Sequence, residues 1–274
     1  MKPERLRRLE FRRDGGVLAA YDSGGDGMPV VFQHGLCGDI RQVAEAVPDL
    51  PALRLISLEC RGHGASEAVA PYSIATFTDD IAALIEALGV APAIVGGISM
   101  GAAIATRLAV TRPDLVHGLV LVRPAWVVGN APHNMAPNAE VGALLRSLPP
   151  ENARKAFRTS STYAQLVETA PDNLASLDGF FAREPIAVTA ELLTAISADG
   201  PGISEADLGA LDTPALVLGS WFDAIHPMAH AERLSRLIPG ARFNEITPKG
   251  VDKSAYISEI HTAFSAFLKE LHHA

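Results

Sequence analysis

The residues best suited to chemistry begin with a serine held between two glycines. Residues 97–101 read G-I-S-M-G, after an apolar run at 93–95 and before a helical stretch at 102–109. A serine at a sharp turn from strand to helix stands clear of the sheet, and the free N–H groups of the helix N-terminus favour a negatively charged oxygen there. The pattern predicts that Ser99 is a nucleophile. A serine that only caps the helix is the structural alternative.

The elements that must position this serine form a regular alternation. Apolar strands are expected at 30–32, 53–58, 93–98, 119–122, 215–218 and 243–246, with helices near 40–47, 74–88, 228–238 and from about 254. Continuous apolar strands are typical of a parallel sheet covered on both faces. Residues 6–13 and 17–23 flank a D-G-G turn and predict an antiparallel hairpin at one edge. The fold class is therefore α/β, with a mostly parallel sheet and helices on both faces.

One long segment interrupts the alternation. Residues 124–204 lack strand-like runs but carry helical patterns, for example at 141–145 and 186–193, between several prolines. A connection of this length inside a compact domain is uncommon unless it is functional, so we expect an inserted helical lid. Helices that merely widen the core are the alternative. The core domain is then expected at 1–123 and 205–274, and the lid at 124–204.

Two further motifs make the chain resemble the α/β-hydrolase superfamily over nearly all of its length. Residues 34–38 read H-G-L-C-G after the third strand and resemble the H-G-x-x-G oxyanion loop of that family. Residues 61–66 read R-G-H-G-A-S and match its R-G-x-G-x-S turn, which is ordinarily structural. The resemblance implies that the backbone N–H groups of Leu36 and Met100 bind an oxyanion. It also implies an α/β-hydrolase fold with an inserted helical lid.

The same resemblance assigns an acid. Residues 221–227 read W-F-D-A-I-H-P after the seventh strand and resemble the D-x-x-x-P segment of the family. Asp223 is then the triad acid, which orients a histidine and stabilises the imidazolium that forms in catalysis. The order of serine before aspartate agrees with the family. A helix cap ahead of Pro227 is the alternative.

The sequence departs from the family at the general base. The resemblance implies a histidine in the loop after the eighth strand, but residues 247–253 read T-P-K-G-V-D-K, and Val251 takes its place. His226 lies in the loop that carries Asp223, at the carboxyl edge of the sheet, and we predict it as the base. Lys249 is the second candidate, and a bracing role for His226 is the alternative. The remaining histidines after Asp223 lie on helices or at the chain end: His230, His261, His272 and His273.

Three residues are predicted to contact the substrate: His34, Arg123 and Trp126. Arg123 ends the sixth strand at the same sheet edge as the serine, where it can hold a substrate carboxylate or pair with a lid acid such as Glu140 or Glu184. The sequence leaves both alternatives open. Apolar lid side chains, Trp126 among them, are expected to line an apolar pocket or to pack the lid helices.

Composition bounds the possible partners. The 274 residues include 23 Lys and Arg against 31 Asp and Glu, a net charge of −8, so nucleic acid is a poor partner. We expect Cys37 and Cys60 to be free thiols, and the chain to be cytoplasmic, with no leader and no membrane contact. No metal or nucleotide motif occurs, so we expect no metal, no cofactor and a small-molecule substrate. The oligomeric state stays open.

Together these features predict a cofactor-independent serine hydrolase. Its substrate would be an ester, lactone or thioester of a small acyl compound, cleaved through an acyl-enzyme on Ser99. Two alternatives remain. The first is a lyase, isomerase or cyclase on the same fold, because a missing base in the usual loop weakens attack by water. The second is a non-catalytic ligand-binding protein with a degenerate triad. The fold does not choose among them.

Overall fold

A computed structural model describes residues 3–271, so His272 and His273 lie outside the described residues. These residues form one eight-stranded sheet in the order β1-β2-β4-β3-β5-β6-β7-β8. The strands are β1 (Arg7–Arg13), β2 (Gly16–Asp22), β3 (Met28–Gln33), β4 (Leu53–Leu58), β5 (Ala93–Ile98), β6 (Val116–Val122), β7 (Ala215–Gly219) and β8 (Arg242–Glu245). The first two strands pair antiparallel, β2 pairs antiparallel with β4, and all other pairs are parallel. The predicted fold class and edge hairpin are confirmed.

The helices lie in chain order between and after these strands. They are α1 (Ile40–Ala46), α2 (Ile74–Leu88), α3 (Met100–Thr111), α4 (Ala136–Ser147), α5 (Pro150–Arg158), α6 (Ser161–Thr169), α7 (Pro171–Phe180), α8 (Ile186–Ala198), α9 (Glu205–Gly209), α10 (Met228–Leu237) and α11 (Lys253–Leu271). Within residues 3–271, no helix is both long and apolar enough to span a membrane. Cys37 and Cys60 are free thiols.

The sheet is buried on both faces because successive apolar side chains point to opposite sides. Val95 of β5 belongs to an apolar cluster that includes Phe77 of α2. Its neighbour Ile94 belongs to a second cluster, with Val43 of α1 and Phe264 of α11. Two helical layers therefore cover the central strands, as their uninterrupted apolar sequences predicted.

The chain adds β4 on one side of β3 and then β5 on the other side, so the order of strand addition reverses between β3 and β5. This reversal places the loops after β3 and β5 side by side. These strands pair in parallel, and Gln33 at the end of β3 lies opposite Gly97 at the end of β5. The helix after β3, α1, packs on one face, and the helix after β5, α3, packs on the other. Open α/β sheets bind ligands at the carboxyl ends of strands at such a switch point.

The segment between β6 and β7 is helical. The patterns at 141–145 and 186–193 lie within α4 and α8, and α5, α6 and α7 complete the segment. These helices build an apolar cluster of their own around the fully buried Phe157. Leu36, Cys37 and Ala224 of the sheet-edge loops pack against that cluster. The inserted helices therefore contact the loops that carry the predicted site; their action as a lid stays a prediction.

Candidate active site

Ser99 occupies a strained turn between β5 and α3. Its φ of 57° and ψ of −112° are unusual for a residue with a side chain, and its N–H donates to the carbonyl of Val122 at 3.1 Å. A Cβ added at Gly97 would overlap the backbone of Gly101, and one added at Gly101 would overlap the carbonyl of Gln33. The two glycines of the motif are thus required by close approach of strand and helix. This turn has the geometry that the sequence predicted.

The loop after β3 lies directly against this turn. A Cβ added at Gly35 would stand 3.3 Å from the Cβ of Ser99. The N–H of Gly35 donates to Oε1 of Gln42 at 2.6 Å, which fixes the loop. Within the described part of the chain, no hydrogen bond is found from the backbone N–H group of Leu36 or of Met100. Both donors are therefore free in the loops beside the serine, and their role as an oxyanion hole stays a prediction.

The loop after β7 brings a carboxylate and an imidazole together. His226 Nδ1 lies 2.8 Å and 2.9 Å from the two carboxylate oxygens of Asp223, and the His226 backbone N–H donates to Oδ1 at 2.9 Å. The side chain of His226 is 11% exposed, and that of Asp223 is 3% exposed. The other ring nitrogen, Nε2, is buried without a hydrogen-bond partner among residues 3–271.

Arg123, at the end of β6, completes this group. Its Nε donates to Oδ2 of Asp223 at 2.7 Å, Nη2 lies 2.5 Å from the same oxygen, and Nη2 lies 3.3 Å from His226 Nδ1. The guanidinium also lies 5.7 Å from the ring centroid of Tyr256. The Arg123 side chain is only 10% exposed, and the carboxylate of Asp223 that it contacts balances much of its charge.

This pairing differs from the pairing with a lid acid that the sequence left open for Arg123, whereas its contact with a substrate carboxylate stays a prediction. Neither Glu140 nor Glu184 is its partner. Glu140 accepts from the hydroxyl of Thr162, and Glu184 accepts from the backbone N–H of Ile186. The nearest acid of the insertion is Asp172, with an oxygen 4.0 Å from the guanidinium. Arg123 pairs instead with Asp223 in the loop after β7, because the neighbouring parallel strands β6 and β7 end at the same edge of the sheet.

The hydrogen bonds assign the His226 tautomer. Nδ1 faces both oxygens of an anionic carboxylate, so it must carry a proton, because two acceptors would repel at 2.8 Å. The more distant Arg123 is a donor only and cannot bond to a protonated Nδ1. Nε2 therefore holds the free lone pair. A neutral imidazole of this form accepts a proton at Nε2.

Burial and charge favour the ionisation states that such a proton transfer needs. Burial lowers the pKa of His226, and Arg123 lowers it further, although Asp223 opposes both. Burial acts to raise the pKa of Asp223, but His226 and Arg123 outweigh it and hold that pKa well below its ordinary value. At neutral pH the site therefore contains a carboxylate and a neutral imidazole.

A cavity of about 110 Å³ joins the serine to the imidazole. Ser99, Leu36, Arg123 and His226 line it, together with residues of the insertion. Those residues include Met135, Asn138, Asp172, Asn173, Ser176, Leu177 and Phe180. Lys249 also contributes to the wall, and its Nζ lies 3.8 Å from a carboxylate oxygen of Glu45. The cavity is smaller than the ~150 Å³ that accommodates benzene, so it accommodates only a small group.

His34 and Trp126 do not line this cavity. The buried ring of His34 accepts from the N–H of Cys60 at 3.0 Å, and its Nδ1 lies 2.8 Å from the carbonyl of Gly35. Trp126 donates from Nε1 to the carbonyl of Asp199 at 2.9 Å. Their polar atoms hold backbone segments in place, and these contacts do not support the predicted substrate-binding roles.

The loop after β8 offers no imidazole to the site. Val251 is 70% exposed and lines a neighbouring cavity of about 290 Å³. Two other histidines bond to backbone carbonyls instead: His230 to Ala125 at 3.1 Å and His261 to Glu45 at 2.9 Å. Both are half-buried. Among the described histidines, His226 is the one that lines the cavity of the serine.

Sequence reasoning missed several residues of the cavity wall. Gln42 fixes the loop after β3, and Asn138 and Asn173 line the cavity from α4 and α7. No local pattern distinguishes these amides from the surface amides of other helices. Their positions depend on how the inserted helices fold back over the sheet edge, which short-range spacing does not reveal.

The fold and the site define a class: an α/β protein with a serine on a strand-to-helix turn at the sheet edge. A family model described as the alpha/beta hydrolase fold matches residues 28–250. The chain belongs to the alpha/beta hydrolase family, as its motifs predicted, and is an enzyme of that class.

Relatives cover almost the whole chain. BpoC of Mycobacterium tuberculosis, whose name assigns it provisionally to the non-heme bromoperoxidases, is 32% identical over 241 residues, which are 85% of this chain and 90% of BpoC. A thermophilic esterase from Thermogutta terrifontis superposes with a TM-score of 0.74 at 23% identity, covering 97% of this chain and 99% of the esterase. The enol-lactonase from Burkholderia xenovorans LB400 gives 0.70 at 24% identity, over 96% and 98%. At these identities the two structures establish the shared fold.

Proposed function

We propose that this enzyme is a serine hydrolase that cleaves an ester, lactone or thioester of a small acyl compound. The observation that carries the proposal is the pairing of Asp223 with a buried, neutral His226 that lines the same cavity as Ser99 and whose Nε2 has no partner among residues 3–271. Relatives named as an esterase and a lactonase share the fold and agree with this substrate class. The base thus comes from the loop after β7 instead of the loop after β8.

In the first half of the reaction, the Ser99 hydroxyl attacks the carbonyl carbon and His226 Nε2 takes its proton. The imidazolium is stabilised by the carboxylate of Asp223. The carbonyl oxygen becomes an oxyanion, and the N–H groups of Leu36 and Met100 donate to it. The tetrahedral intermediate then collapses: the bond to the leaving group breaks, and His226 returns the proton to the departing oxygen or sulfur.

In the second half, water replaces the leaving group. His226 takes a proton from the water, whose oxygen attacks the acyl carbon on Ser99. The same two N–H groups stabilise the second oxyanion. Collapse breaks the bond to the serine oxygen, which regains its proton from the imidazolium. The carboxylic acid leaves and the enzyme is restored. A base in this position removes the reason that favoured non-hydrolytic chemistry, because water activation no longer lacks a proton acceptor.

A fluorophosphonate probe tests the nucleophile directly. We expect the probe to label the enzyme and mass spectrometry to map the adduct to Ser99. Ser99→Ala should abolish labelling and lower turnover of small esters at least about a thousandfold while the fold persists. Ser176→Ala is the matched control, since Ser176 lines the same cavity, and it should retain the label. Undiminished turnover by Ser99→Ala would refute the proposal.

A further inference from the structure

Two residues of the catalytic cavity carry a buried polar atom with no partner. Eight such side-chain atoms occur among residues 3–271. Two of them, Asn138 Oδ1 and His226 Nε2, belong to residues that line the cavity of Ser99. Proton transfer with the serine accounts for His226. The reaction as proposed leaves Asn138 without a role, although an unpaired buried amide is rare and destabilising.

A second asparagine of the same cavity wall, Asn173, provides a comparison because its side-chain oxygen has hydrogen-bond partners. Asn173 is 4% exposed and Asn138 is 5% exposed, so both are removed from bulk water. The Oδ1 of Asn173 accepts from the backbone N–H groups of Ala224 at 2.7 Å and Ile225 at 3.4 Å. Asn173 thus braces the loop of the base. The Oδ1 of Asn138 makes no equivalent contact among the described residues, although Asn138 lines the cavity.

The charges around the cavity restrict what that ligand is. An amide oxygen accepts hydrogen bonds and disfavours an anion. The one strongly buried cation of the wall, Arg123, already contacts the carboxylate of Asp223. A neutral donor, such as a hydroxyl or an amide N–H, fits the Oδ1 of Asn138 better than a substrate carboxylate. Because the cavity is only about 110 Å³, a group bound there lies within a few atoms of the reacting carbonyl.

We propose that Asn138 is a specificity-determining residue whose Oδ1 accepts a hydrogen bond from the substrate, and that the substrate is a short acyl compound with a hydroxyl or N–H near its carbonyl. This inference rests on the hydrolase function proposed above. A site that pairs a buried polar group with its substrate discriminates against analogues that lack the donor, because binding them leaves the group unpaired.

Paired esters test the inference. The kcat/KM values for methyl 2-hydroxypropionate and methyl propionate, and for methyl 3-hydroxybutyrate and methyl butyrate, are measured with the wild type and with Asn138→Leu. Leucine has nearly the shape of asparagine but no acceptor. For at least one pair, we expect the wild type to prefer the hydroxy ester and the variant to lose about tenfold or more of that preference.

Stability separates this role from a structural one. Because Asn138→Leu removes an unpaired polar atom, its Tm should equal or exceed that of the wild type. The control Asn173→Leu breaks two backbone hydrogen bonds, so its Tm should fall by about 3 °C or more while its preference within each ester pair is kept. A clear loss of Tm in Asn138→Leu would overturn the inference. So would an unchanged preference, as expected if water satisfies the oxygen.

Binding to the inactive Ser99→Ala variant distinguishes failure of this inference from failure of the hydrolase proposal. NMR titration with methyl 2-hydroxypropionate and methyl propionate should show tighter binding of the hydroxy ester, and adding Asn138→Leu should remove the difference. Absence of turnover and labelling in the wild type would refute the hydrolase proposal alone. Equal binding of the two esters would refute the role of Asn138, whatever the turnover.

Discussion

His226 and Asp223 lie three residues apart on one loop, and Arg123 reaches both from the neighbouring strand end. The guanidinium shares the carboxylate with the imidazole, so it weakens the effect of that carboxylate on the pKa of His226. Other ionisable groups face the imidazole or line the same cavity from further elements: Asp172 on α7 and Lys249 after β8. The strand-end arginine therefore helps to set the pH range in which the His226 imidazole is neutral.

Replacing Arg123 by glutamine should move the acid limb of the pH profile. His226 accepts a proton only when neutral, so kcat/KM should fall as the pH drops through its pKa, which burial and Arg123 hold below the ordinary 6.5. Removing the guanidinium raises that pKa, so the limb should shift to higher pH. The measurement is kcat/KM for a small ester between about pH 4 and pH 9.

The matched control for this shift is Arg112→Gln. Arg112 pairs with Asp114 and Glu86 at the surface, so its loss should leave the profile in place. An acid limb that stays fixed in Arg123→Gln would show that the arginine has no influence on the base.

At the scale of elements, the insertion is tied to both loops that build the site. Helix α7 holds the loop of His226 through Asn173, and the apolar cluster around Phe157 packs against Leu36 of the loop after β3 and against Ala224. Helices α4 and α7 supply much of the cavity wall. We therefore expect the segment to respond to what the cavity holds, as the lid prediction requires.

Limited proteolysis tests whether the insertion closes over the site. If 124–204 acts as a lid, a fluorophosphonate adduct on Ser99 should hold it closed and slow cleavage within it. The digestion is followed by mass spectrometry with and without the probe. Ser99→Ala, treated identically, controls for direct effects of the probe on the protease. Cleavage that is equally fast in labelled enzyme, or that maps only to the termini, would indicate packing helices and no gate.

The elements themselves could largely be predicted from the sequence. Uninterrupted apolar runs such as 93–98 define buried strands, and their helical partners have clear spacing. The helices α5, α6 and α7 were not singled out because they are short, proline-bounded segments whose apolar faces pack mainly against one another. Their contribution to the cavity depends on tertiary packing, which local periodicity does not encode.

At the scale of the whole molecule, the sequence predicted which edge of the sheet carries the site. It predicted less well which residues each side chain of the site contacts. The motifs identified Ser99 and Asp223 at that edge, and His226 was predicted because it shares the loop of the acid. The partners of His34 and Arg123 could not be predicted in this way. Those partners come from distant loops that meet only when the sheet has formed, such as the N–H of Cys60 beside His34.

The central claim is that a histidine from the loop after β7 activates Ser99, and the rate of serine labelling tests it most directly. The second-order rate of fluorophosphonate labelling is measured for the wild type, His226→Ala, Ser99→Ala and the control His230→Ala, whose histidine bonds the backbone at Ala125. We predict a fall of about a thousandfold or more in His226→Ala, no adduct in Ser99→Ala, and a near wild-type rate in His230→Ala. Labelling of His226→Ala at the wild-type rate would contradict the account.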